Sequence, residues 1–508
     1  MTAPAVHCSA SVEPALAELK ERLGVIADLG RAQSVLVWDM EVWMPPAGTS
    51  SRAAQLATLE AVIHEKHVDD RIGTLLDELE PYAASLPAES DDACLIRVAR
   101  RRWDKKRRVP TELAAELART QAESYEAWVR AREDDDFGSF SPWLERVLEL
   151  RLRYIECFAP YDDPYDVLLD DFDPGMKTDE VRAILAALEP ELVALVAEHA
   201  GDEDDGFMKR DFPVAEQDRL SRELIERFGA TWDAFRLDTT VHPFETTFGL
   251  GDIRLTTRYS DEGLLSLFTA MHECGHGLYE WGSIPTLDRT PLSGCESATL
   301  HESQSRLWEN VVGRSLPFWR WFYPRVREAF PEQLGDVTLE RFHRAVNRVQ
   351  RSHIRVNADE TTYGLHIILR FELEQELLAG QLAVIELPEA WNARFEALLG
   401  LPVPDDRHGV LQDSHWSGGG FGYFPTYLLG SVVSVQIWER ARETLPDVEE
   451  RIERGDFSTL HDWLRENLYS LGSKFPPAET IERVAGGPID PQPYLAYLRE
   501  KLGALAAA

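Results

Sequence analysis

The feature that most constrains this 508-residue chain is the segment His272-Glu273-Cys274-Gly275-His276, with two histidines four positions apart. On an α-helix, positions i and i+4 lie one turn apart on the same face, so both imidazoles can bind one metal ion. The flanking apolar residues have the spacing of a largely buried helix; they are Leu264, Leu265, Leu267, Phe268, Met271, Leu278 and Tyr279. The sequence therefore predicts a buried helix that carries two metal ligands.

A carboxylate in the next helical stretch supplies a third ligand. Leu300 to Val312 has helical spacing of apolar residues, and Glu302 lies 26 residues beyond His276. Taken singly, Glu302 or its neighbour His301 would be an ordinary solvated helix residue. Two histidines and one glutamate with the fourth position left for water form a catalytic type of zinc site. We therefore predict a metal site of His272, His276 and Glu302, with Glu273 as the general base that takes a proton from water.

Composition limits the class of partner. The net charge of −35 argues against nucleic acid and anionic membranes as partners. No run of 18 apolar residues occurs, and Met1 to Arg22 lacks the pattern of a signal peptide. The five cysteines, at positions 8, 94, 157, 274 and 295, are odd in number and form no C-x-x-C pair. We expect a cytoplasmic protein without a disulfide framework.

Helical periodicity covers most of the chain. The clearest predicted helices of the first part are Glu13 to Leu29, Ser51 to His67, Asp91 to Lys106, Pro110 to Arg132, Trp143 to Cys157 and Asp179 to His199. By contrast, Gly251 to Tyr259 alternates apolar and polar residues, as a strand does. Two interpretations stay open for this strand: it lines the edge of a cleft and pairs with an extended ligand, or it belongs to a short structural hairpin.

An arginine downstream of the metal motif has the chemistry of a carboxylate receptor. In Ile354-Arg355-Val356, Ile354 and Val356 are predicted to face the core, with Arg355 pointing the other way. A planar guanidinium suits bidentate binding of a carboxylate. The alternatives are a surface arginine or one paired with a nearby acid. Asp359 is predicted to cap the helix that carries Tyr363 and His366.

A glycine-rich stretch follows further along the chain. Gly409 to Trp416 is polar and aromatic, and it precedes the triple glycine Gly418 to Gly420 and then Tyr423. The glycines predict a mobile or tightly turned loop. The neighbouring side chains form either a ligand-contacting segment or a buried hydrogen-bond cluster.

Together these segments resemble the Taq-type thermostable metallocarboxypeptidase family, a group of zinc exopeptidases. The resemblance runs from about residue 12 to 503. Six segments carry it, in chain order: His242-Pro243-Phe244, Asp252-Ile253-Arg254-Leu255-Thr256, His272-Glu273-Cys274-Gly275-His276, His301-Glu302-Ser303-Gln304, Ile354-Arg355-Val356-Asn357-Ala358-Asp359, and Gly409-Val410-Leu411-Gln412-Asp413-Ser414-His415-Trp416.

The resemblance implies a fold and an assembly. It implies a mostly α, gluzincin-like zinc-peptidase fold with a deep active-site groove and a small antiparallel sheet beside it. Residues 1–508 would form a single metallocarboxypeptidase domain, with a helical subdomain at about 1–200 and a catalytic part at about 201–508. A homodimer is implied by the family alone.

The resemblance also implies roles for individual residues. His272, His276 and Glu302 would hold Zn²⁺, with Co²⁺ as the alternative, and Glu273 would be the general base. Arg355 would bind the C-terminal carboxylate of a peptide substrate. The other candidates for lining the groove are His242, Arg254, Gln412, Asp413, His415 and Tyr423. Either Tyr423 or His415 could donate a hydrogen bond to the oxyanion, and the sequence does not decide between them.

The predicted activity is thus release of C-terminal amino acids from peptides, and two rival functions stay open. The first is an endo-acting zinc oligopeptidase, because helical zinc peptidases with deep grooves can also cut internally. The second is a catalytically silent helical scaffold in which the metal only holds the fold. Glu273 argues against the scaffold, because a structural metal site has no use for a base.

Overall fold

The computed structural model describes residues 9–201, 205–260 and 263–507. Cys8 and the first eight residues of Met1 to Arg22 lie outside the described residues. The fold is mostly helical, as predicted. The helices are α1 Ser9–Val42, α2 Thr49–His67, α3 Asp70–Ser85, α4 Asp91–Arg108, α5 Thr111–Asp134, α6 Phe137–Glu156, α7 Pro164–Leu169, α8 Thr178–His199, α9 Val214–Arg227, α10 Leu265–Trp281, α11 Ala298–Arg306, α12 Leu316–Ala329, α13 Pro331–Leu334, α14 Leu339–Val346, α15 Tyr363–Leu378, α16 Leu387–Leu399, α17 Phe424–Thr444, α18 Val448–Glu453, α19 Ser458–Asn467, α20 Pro477–Ala485 and α21 Pro491–Ala507.

All six helices predicted for the first part of the chain are present, and two of them extend several residues beyond a predicted end. The first continues past Leu29 to Val42, and its Trp38 is buried. The fifth, α6, begins six residues early, at Phe137, where the Asp136 carboxylate caps it by accepting from the Ser139 amide at 3.2 Å. Such a cap satisfies an amide that the helix itself leaves without a partner.

The sheet has three strands, β1 Phe235–Thr239, β2 Glu245–Gly249 and β3 Asp252–Thr257, in the order β1-β3-β2. β3 pairs parallel with β1 and antiparallel with β2, so the sheet is mixed and the predicted antiparallel sheet is wrong. The reason is the path of residues 240–244. This segment crosses the end of β3, where Phe244 accepts from the Thr256 amide at 3.1 Å, and β3 is thereby inserted between the other two strands.

The predicted strand at Gly251 to Tyr259 is confirmed as β3, but β3 is the central strand. Both of its edges are paired, so it cannot add an extended ligand as the cleft-edge interpretation required. The outer strand β2 lies against α1, where the rings of Phe248 and Trp38 meet edge to face with centroids 6.3 Å apart. The structure therefore favours a structural hairpin for β2 and β3.

Two hydrophobic clusters account for most of the packing. The main core extends from Ala127 to Leu502 and includes the sheet and α10. A smaller cluster joins α1, α3 and α4, with Leu19, Leu75 and Trp103 among its members. The division of the chain near residue 200 stays a prediction. Within the described ranges, no helix is both long enough and apolar enough to cross a membrane.

Two glycines bring the ligand-bearing helices close together. A Cβ at Gly275 of α10 would lie 2.5 Å from the Gln304 carbonyl oxygen of α11. A Cβ at Gly430 of α17 would lie 2.7 Å from the Cβ of Glu302 on the other side of α11. Glycine at both positions lets α11 lie between α10 and α17 in direct contact with each. The predicted helix from Leu300 to Val312 is α11 followed by a π-helical turn, Leu307–Val312.

Candidate active site

The three predicted metal ligands converge at the contact between α10 and α11. One ligand atom from each of His272, His276 and Glu302 lies within 4.8 Å of the other two. Glu302 Oε2 lies 3.6 Å from His272 Nε2 and 3.4 Å from His276 Nε2. Two residues one helical turn apart and one residue from the neighbouring helix thus present three ligand atoms to a common point.

The second nitrogen of each histidine is already engaged, which leaves Nε2 free to face the common point. His272 Nδ1 lies 2.9 Å from Glu309 Oε2, and His276 Nδ1 lies 2.5 Å from His301 Nδ1. Metal-binding histidines in proteins are typically held in this way. Two imidazole nitrogens and one carboxylate oxygen are also the donor set that zinc hydrolases use. The residues therefore fit a divalent cation.

Glu302 is held in its anionic form. Its Oε1 accepts from Arg306 Nε at 2.7 Å, and its Oε2 accepts from Ser305 Oγ at 3.0 Å. Burial alone would raise the pKa of this carboxyl, but the Arg306 guanidinium and the two histidines lower it well below its usual range. Metal ligands must be deprotonated, so this arrangement prepares Glu302 for a cation.

The other titratable groups of the site are also shifted. Burial lowers the pKa of His276 to about 3, which keeps that imidazole neutral. Burial also acts to lower the pKa of His272, but Glu302 and Glu309 outweigh it, and the pKa is raised. Burial raises the pKa of Glu273 to about 7, with further contributions from Glu302 and Glu309. A carboxylate that titrates near neutral pH is suited to general base catalysis.

Four residues that support the trio were not identified from the sequence: Glu280, His301, Arg306 and Glu309. His301, which taken singly would be an ordinary solvated helix residue, lies between His276 and Glu280, with Nε2 3.2 Å from Glu280 Oε1. Helical spacing held a signal for two of the others. Glu280 follows His276 by four residues, and Glu309 follows Glu302 by seven, so each continues the face that carries the ligand.

Arg355 is buried rather than pointing outward. Residues Arg355–Asn357 form a 3₁₀ turn, not a strand, so the predicted alternation fails: Val356 is 65% exposed and Arg355 only 5%. Arg355 Nη2 donates to Asp413 Oδ1 at 2.8 Å, and Nη1 donates to the Tyr363 hydroxyl at 2.8 Å. Its backbone amide donates to Gln412 Oε1, also at 2.8 Å. Without a ligand, Arg355 is therefore paired with a nearby acid, Asp413, as one of the alternatives proposed.

Asp413 accepts from a second buried arginine that the sequence did not reveal. Arg370 Nε and Nη2 donate to Asp413 Oδ2 at 2.8 and 2.5 Å, and Arg370 is fully buried. Burial alone would raise the pKa of Asp413, but Arg355 and Arg370 together lower it far below its usual range. This cluster of Arg355, Asp413 and Arg370, called the arginine cluster below, has two positive charges and one negative charge. Arg370 lies seven residues after Tyr363 on α15, two turns along the same face.

The predicted groove residues divide into two groups. Arg355, Gln412, Asp413, His415 and Tyr423 lie together: His415 Nδ1 is 3.9 Å from Asp413 Oδ1, and its ring stacks on Tyr423 with centroids 5.6 Å apart. Burial lowers the pKa of His415 to about 4.

Arg254 lies on the sheet instead, and His242 lies beside it in a connection between strands. Arg254 is paired with Asp252, and its guanidinium lies over the Trp38 ring, 4.9 Å from the centroid. His242 is exposed in the segment between β1 and β2. The strand position of Arg254 was predicted, but its contact with Trp38 and the position of His242 were not. The neighbours of a strand and of its connections depend on long-range pairing.

The arginine cluster is connected to the metal trio by two side chains. Arg306, which donates to Glu302, also places its guanidinium over the Tyr363 ring, 4.5 Å from the centroid. The hydroxyl of that same tyrosine accepts from Arg355. A continuous path of contacts therefore runs from Glu302 through Arg306 and Tyr363 to Arg355 and Asp413.

Known proteins share this sequence and this fold over almost the full length. A family model described as Carboxypeptidase Taq (M32) metallopeptidase matches residues 18–502. Thermostable carboxypeptidase 1 of Thermus thermophilus is 41% identical over 503 residues, which covers 96% of this chain and 98% of that protein. Carboxypeptidase 1 of Bacillus subtilis is 34% identical, over 95% of this chain and 97% of that protein.

Solved structures show the same agreement. The crystal structure of M32 carboxypeptidase from Deinococcus radiodurans is 41% identical, covers 97% of this chain and 100% of its own, and superposes with a TM-score of 0.93. A carboxypeptidase structure from Pyrococcus furiosus is 33% identical, covers 96% of this chain and 99% of its own, and has a TM-score of 0.91. The chain belongs to the Carboxypeptidase Taq (M32) family of metallopeptidases and is a metallocarboxypeptidase, a peptide hydrolase.

Proposed function

We propose that this enzyme removes C-terminal amino acids from peptides at a site formed by the metal trio and the arginine cluster. His272, His276 and Glu302 would hold the cation, Zn²⁺ or alternatively Co²⁺. The observation that carries the proposal is the path from Glu302 through Arg306 and Tyr363 to Arg355. It brings three convergent metal ligands and a buried excess of positive charge into one site.

The chemistry divides between the cation and Glu273. A divalent cation in this position supplies a Lewis acid and lowers the pKa of water from about 15.7 toward 7. Glu273 follows the first ligand on α10 and is 6% exposed, with its pKa raised to about 7. Its carboxylate takes a proton from the attacking water and delivers a proton to the leaving amine. His415 and Tyr423 are the candidates to stabilise the oxyanion, and Arg254 and His242 are candidates for contacts further from the scissile bond.

Arg355 is proposed to bind the free carboxylate of the substrate. A guanidinium has five N–H groups, and Asp413 and Tyr363 use Nε–H, one N–H of Nη2 and one of Nη1. One N–H on each Nη is left for a ligand. A carboxylate there would also neutralise the excess positive charge of the arginine cluster. Gln412 holds the backbone amide of Arg355 at 2.8 Å and thereby fixes the turn that presents the side chain.

Assembly and location are proposed on more general grounds. A homodimer is proposed from family membership. A cytoplasmic location is proposed because the four cysteines within the described residues are free thiols, as is usual in a reducing compartment.

The test compares one peptide with its C-terminal amide. Mass spectrometry should show a ladder of fragments shortened from the C-terminus for the free acid and almost none for the amide. Arg355→Ala should lower kcat/KM for the free acid by roughly 30- to 5000-fold, the equivalent of about 2–5 kcal/mol for breaking a desolvated charge pair. Arg355→Lys should recover only part of the loss, because the fork geometry is missing.

The exposed Arg351, four residues upstream, provides the matched control. Arg351→Ala should leave kcat/KM unchanged for both the free acid and the amide. Thermal unfolding of each variant separates lost binding from lost folding. Internal fragments from the amidated peptide would favour the endopeptidase. If a folded Arg355→Ala enzyme still strongly prefers the free acid, the carboxylate is bound by another residue.

A further inference from the structure

The contact between His276 and His301 joins two groups of the same kind. Their Nδ1 atoms lie 2.5 Å apart, the ring centroids are 4.5 Å apart, and the planes are inclined by 23°. Two imidazoles that meet through their nitrogens at this distance can share a hydrogen bond. Such a bond exists only if one nitrogen carries a proton and the other a lone pair. The question is which ring donates.

Glu280 contacts His301 on the side opposite His276. Its Oε1 lies 3.2 Å from His301 Nε2, and an ionised carboxylate can only accept a hydrogen bond. His301 therefore carries its proton on Nε2. The proposed ligand set gives the direction of the other bond, because His276 Nε2, which faces Glu302 at 3.4 Å, must keep its lone pair for the metal. His276 then carries its single proton on Nδ1 and donates it to His301 Nδ1.

The backbone fixes Glu280 in this position. The amide of Cys295 donates to the same oxygen, Oε1, at 3.0 Å. Gly294, with φ of +72°, lies so close that a Cβ there would overlap the Glu280 carboxylate. Glu280 is also one turn beyond His276 on α10. Its position is therefore fixed both by the helix and by the loop before α11.

The two histidine ligands are supported differently. Glu309 contacts His272 directly and is itself bound by Arg314 at 3.1 Å. For His276 the supporting carboxylate is that of Glu280, and the ring of His301 lies between the two. We infer that His301 and Glu280 form a relay of positioning residues that sets the tautomer of His276 and aims its Nε2 lone pair at the metal. This inference rests on the proposed ligand set.

The test uses paired replacements and measures the binding of Zn²⁺ by competition with a chromophoric chelator. His301→Leu removes the acceptor for His276 Nδ1, and affinity should fall roughly 10- to 100-fold, as when a residue behind a metal ligand is lost. His301→Asn places an amide oxygen close to the position of Nδ1 and should recover most of the affinity. Glu280→Gln keeps the acceptor oxygen, so its affinity should fall less than that of Glu280→Leu.

Two further measurements separate positioning from a structural role. The thermal midpoints of the metal-free His301→Leu and His301→Asn proteins should be similar, although their affinities differ. The absorption spectrum of the Co²⁺-loaded His301→Leu protein should change, whereas the control His64→Leu on α2 should leave spectrum and affinity unchanged.

His276→Ala distinguishes failure of the relay from failure of the ligand set. It should weaken metal binding far more than any replacement of His301 or Glu280. If His276→Ala binds Zn²⁺ as well as the wild type, the ligand set and the relay are both overturned. If His276→Ala loses the metal but folded His301→Leu does not, or if His301→Asn is as weak as His301→Leu, the relay alone is overturned.

Discussion

The metal trio and the arginine cluster are both largely buried, but they differ in how well their charges are balanced. Around the trio, Glu302 and Glu309 are held as carboxylates, Arg306 contacts both of them, and Arg314 also pairs with Glu309. In the arginine cluster, Arg355 and Arg370 share the one carboxylate of Asp413.

Burying an unpaired charge is costly, so the excess positive charge of the arginine cluster needs a partner from outside. The trio has ligand atoms for a cation, and the arginine cluster has N–H groups for an anion. A peptidase that reads a free C-terminus needs both, one at the scissile bond and one at the terminal carboxylate. The two halves of the proposed site therefore differ in the ligand that each of them can take, a cation at the trio and an anion at the arginine cluster.

The largest expected effect lies at the trio and concerns the general base. Glu273→Gln keeps the size of the side chain and removes its ability to take a proton. Turnover should fall by roughly 10²–10⁴-fold, while metal content measured after dialysis should equal that of the wild type. A metal-loaded Glu273→Gln enzyme with full activity would show that the base is elsewhere.

A second prediction concerns the internal anion of the arginine cluster. Asp413→Asn leaves two buried guanidinium groups facing a neutral amide, and the free energy of unfolding in urea should fall by about 3–5 kcal/mol. The exposed pair of Asp77 with Arg100 is the control, and Asp77→Asn should cost no more than about 1 kcal/mol.

The pH dependence of that difference has a definite sign. The pKa of Asp413 is lowered in the folded protein, so its stabilisation is complete above the unfolded value of about 3.9 and is lost as the pH falls below it. The difference in stability between the wild type and Asp413→Asn should therefore stay constant near neutral pH and narrow below about pH 4. A difference that widened on acidification would contradict the assignment of Asp413 as the paired anion.

The smallest effect tests whether the two regions can be altered separately. Tyr363→Phe removes the hydroxyl that accepts from Arg355 at 2.8 Å but keeps the ring under Arg306. Preference for the free acid over the amide should fall about tenfold, since a hydrogen bond to a charged group contributes about 1.5 kcal/mol or more. Zinc affinity should not change. A drop of similar size in zinc affinity would mean that the two regions act as one unit. Tyr125→Phe, at an exposed position, is the control and should change neither quantity.

The sequence predicted local geometry well. The spacing of His272 and His276 requires only one helical turn, and the helix that carries them is present as predicted. Asp359 was predicted to cap α15, but the N-cap is Thr362. Asp359 instead caps the turn just before the helix, where it accepts from the Thr361 and Thr362 amides at 2.9 and 3.1 Å. These features depend on residues a few positions apart, which is the range over which sequence patterns act.

The features that the sequence did not predict depend on contacts across the fold. Arg370 and Asp413 are 43 residues apart in the sequence. Their pair forms the buried cluster in which Arg355 lies. The order of the strands depends on the path of residues 240–244 rather than on the alternation within β3. His301 seemed solvated because nothing near it in sequence shows that α11 lies between two other helices.

The glycine contacts on both sides of α11 have a consequence for which ions the proposed metal site can accept. Flexible side chains between the helices could change conformation and let the ligand atoms move apart to suit ions of different size. Here backbone lies against backbone or against the first carbons of Glu302, at Gly275 and at Gly430, so little can be compressed. Zinc–nitrogen bonds are about 2.0–2.1 Å long and calcium–oxygen bonds about 2.3–2.6 Å, a difference of a few tenths of an ångström. At the site proposed to hold the metal, the spacing of the ligand atoms is thus set by the packing of the helices.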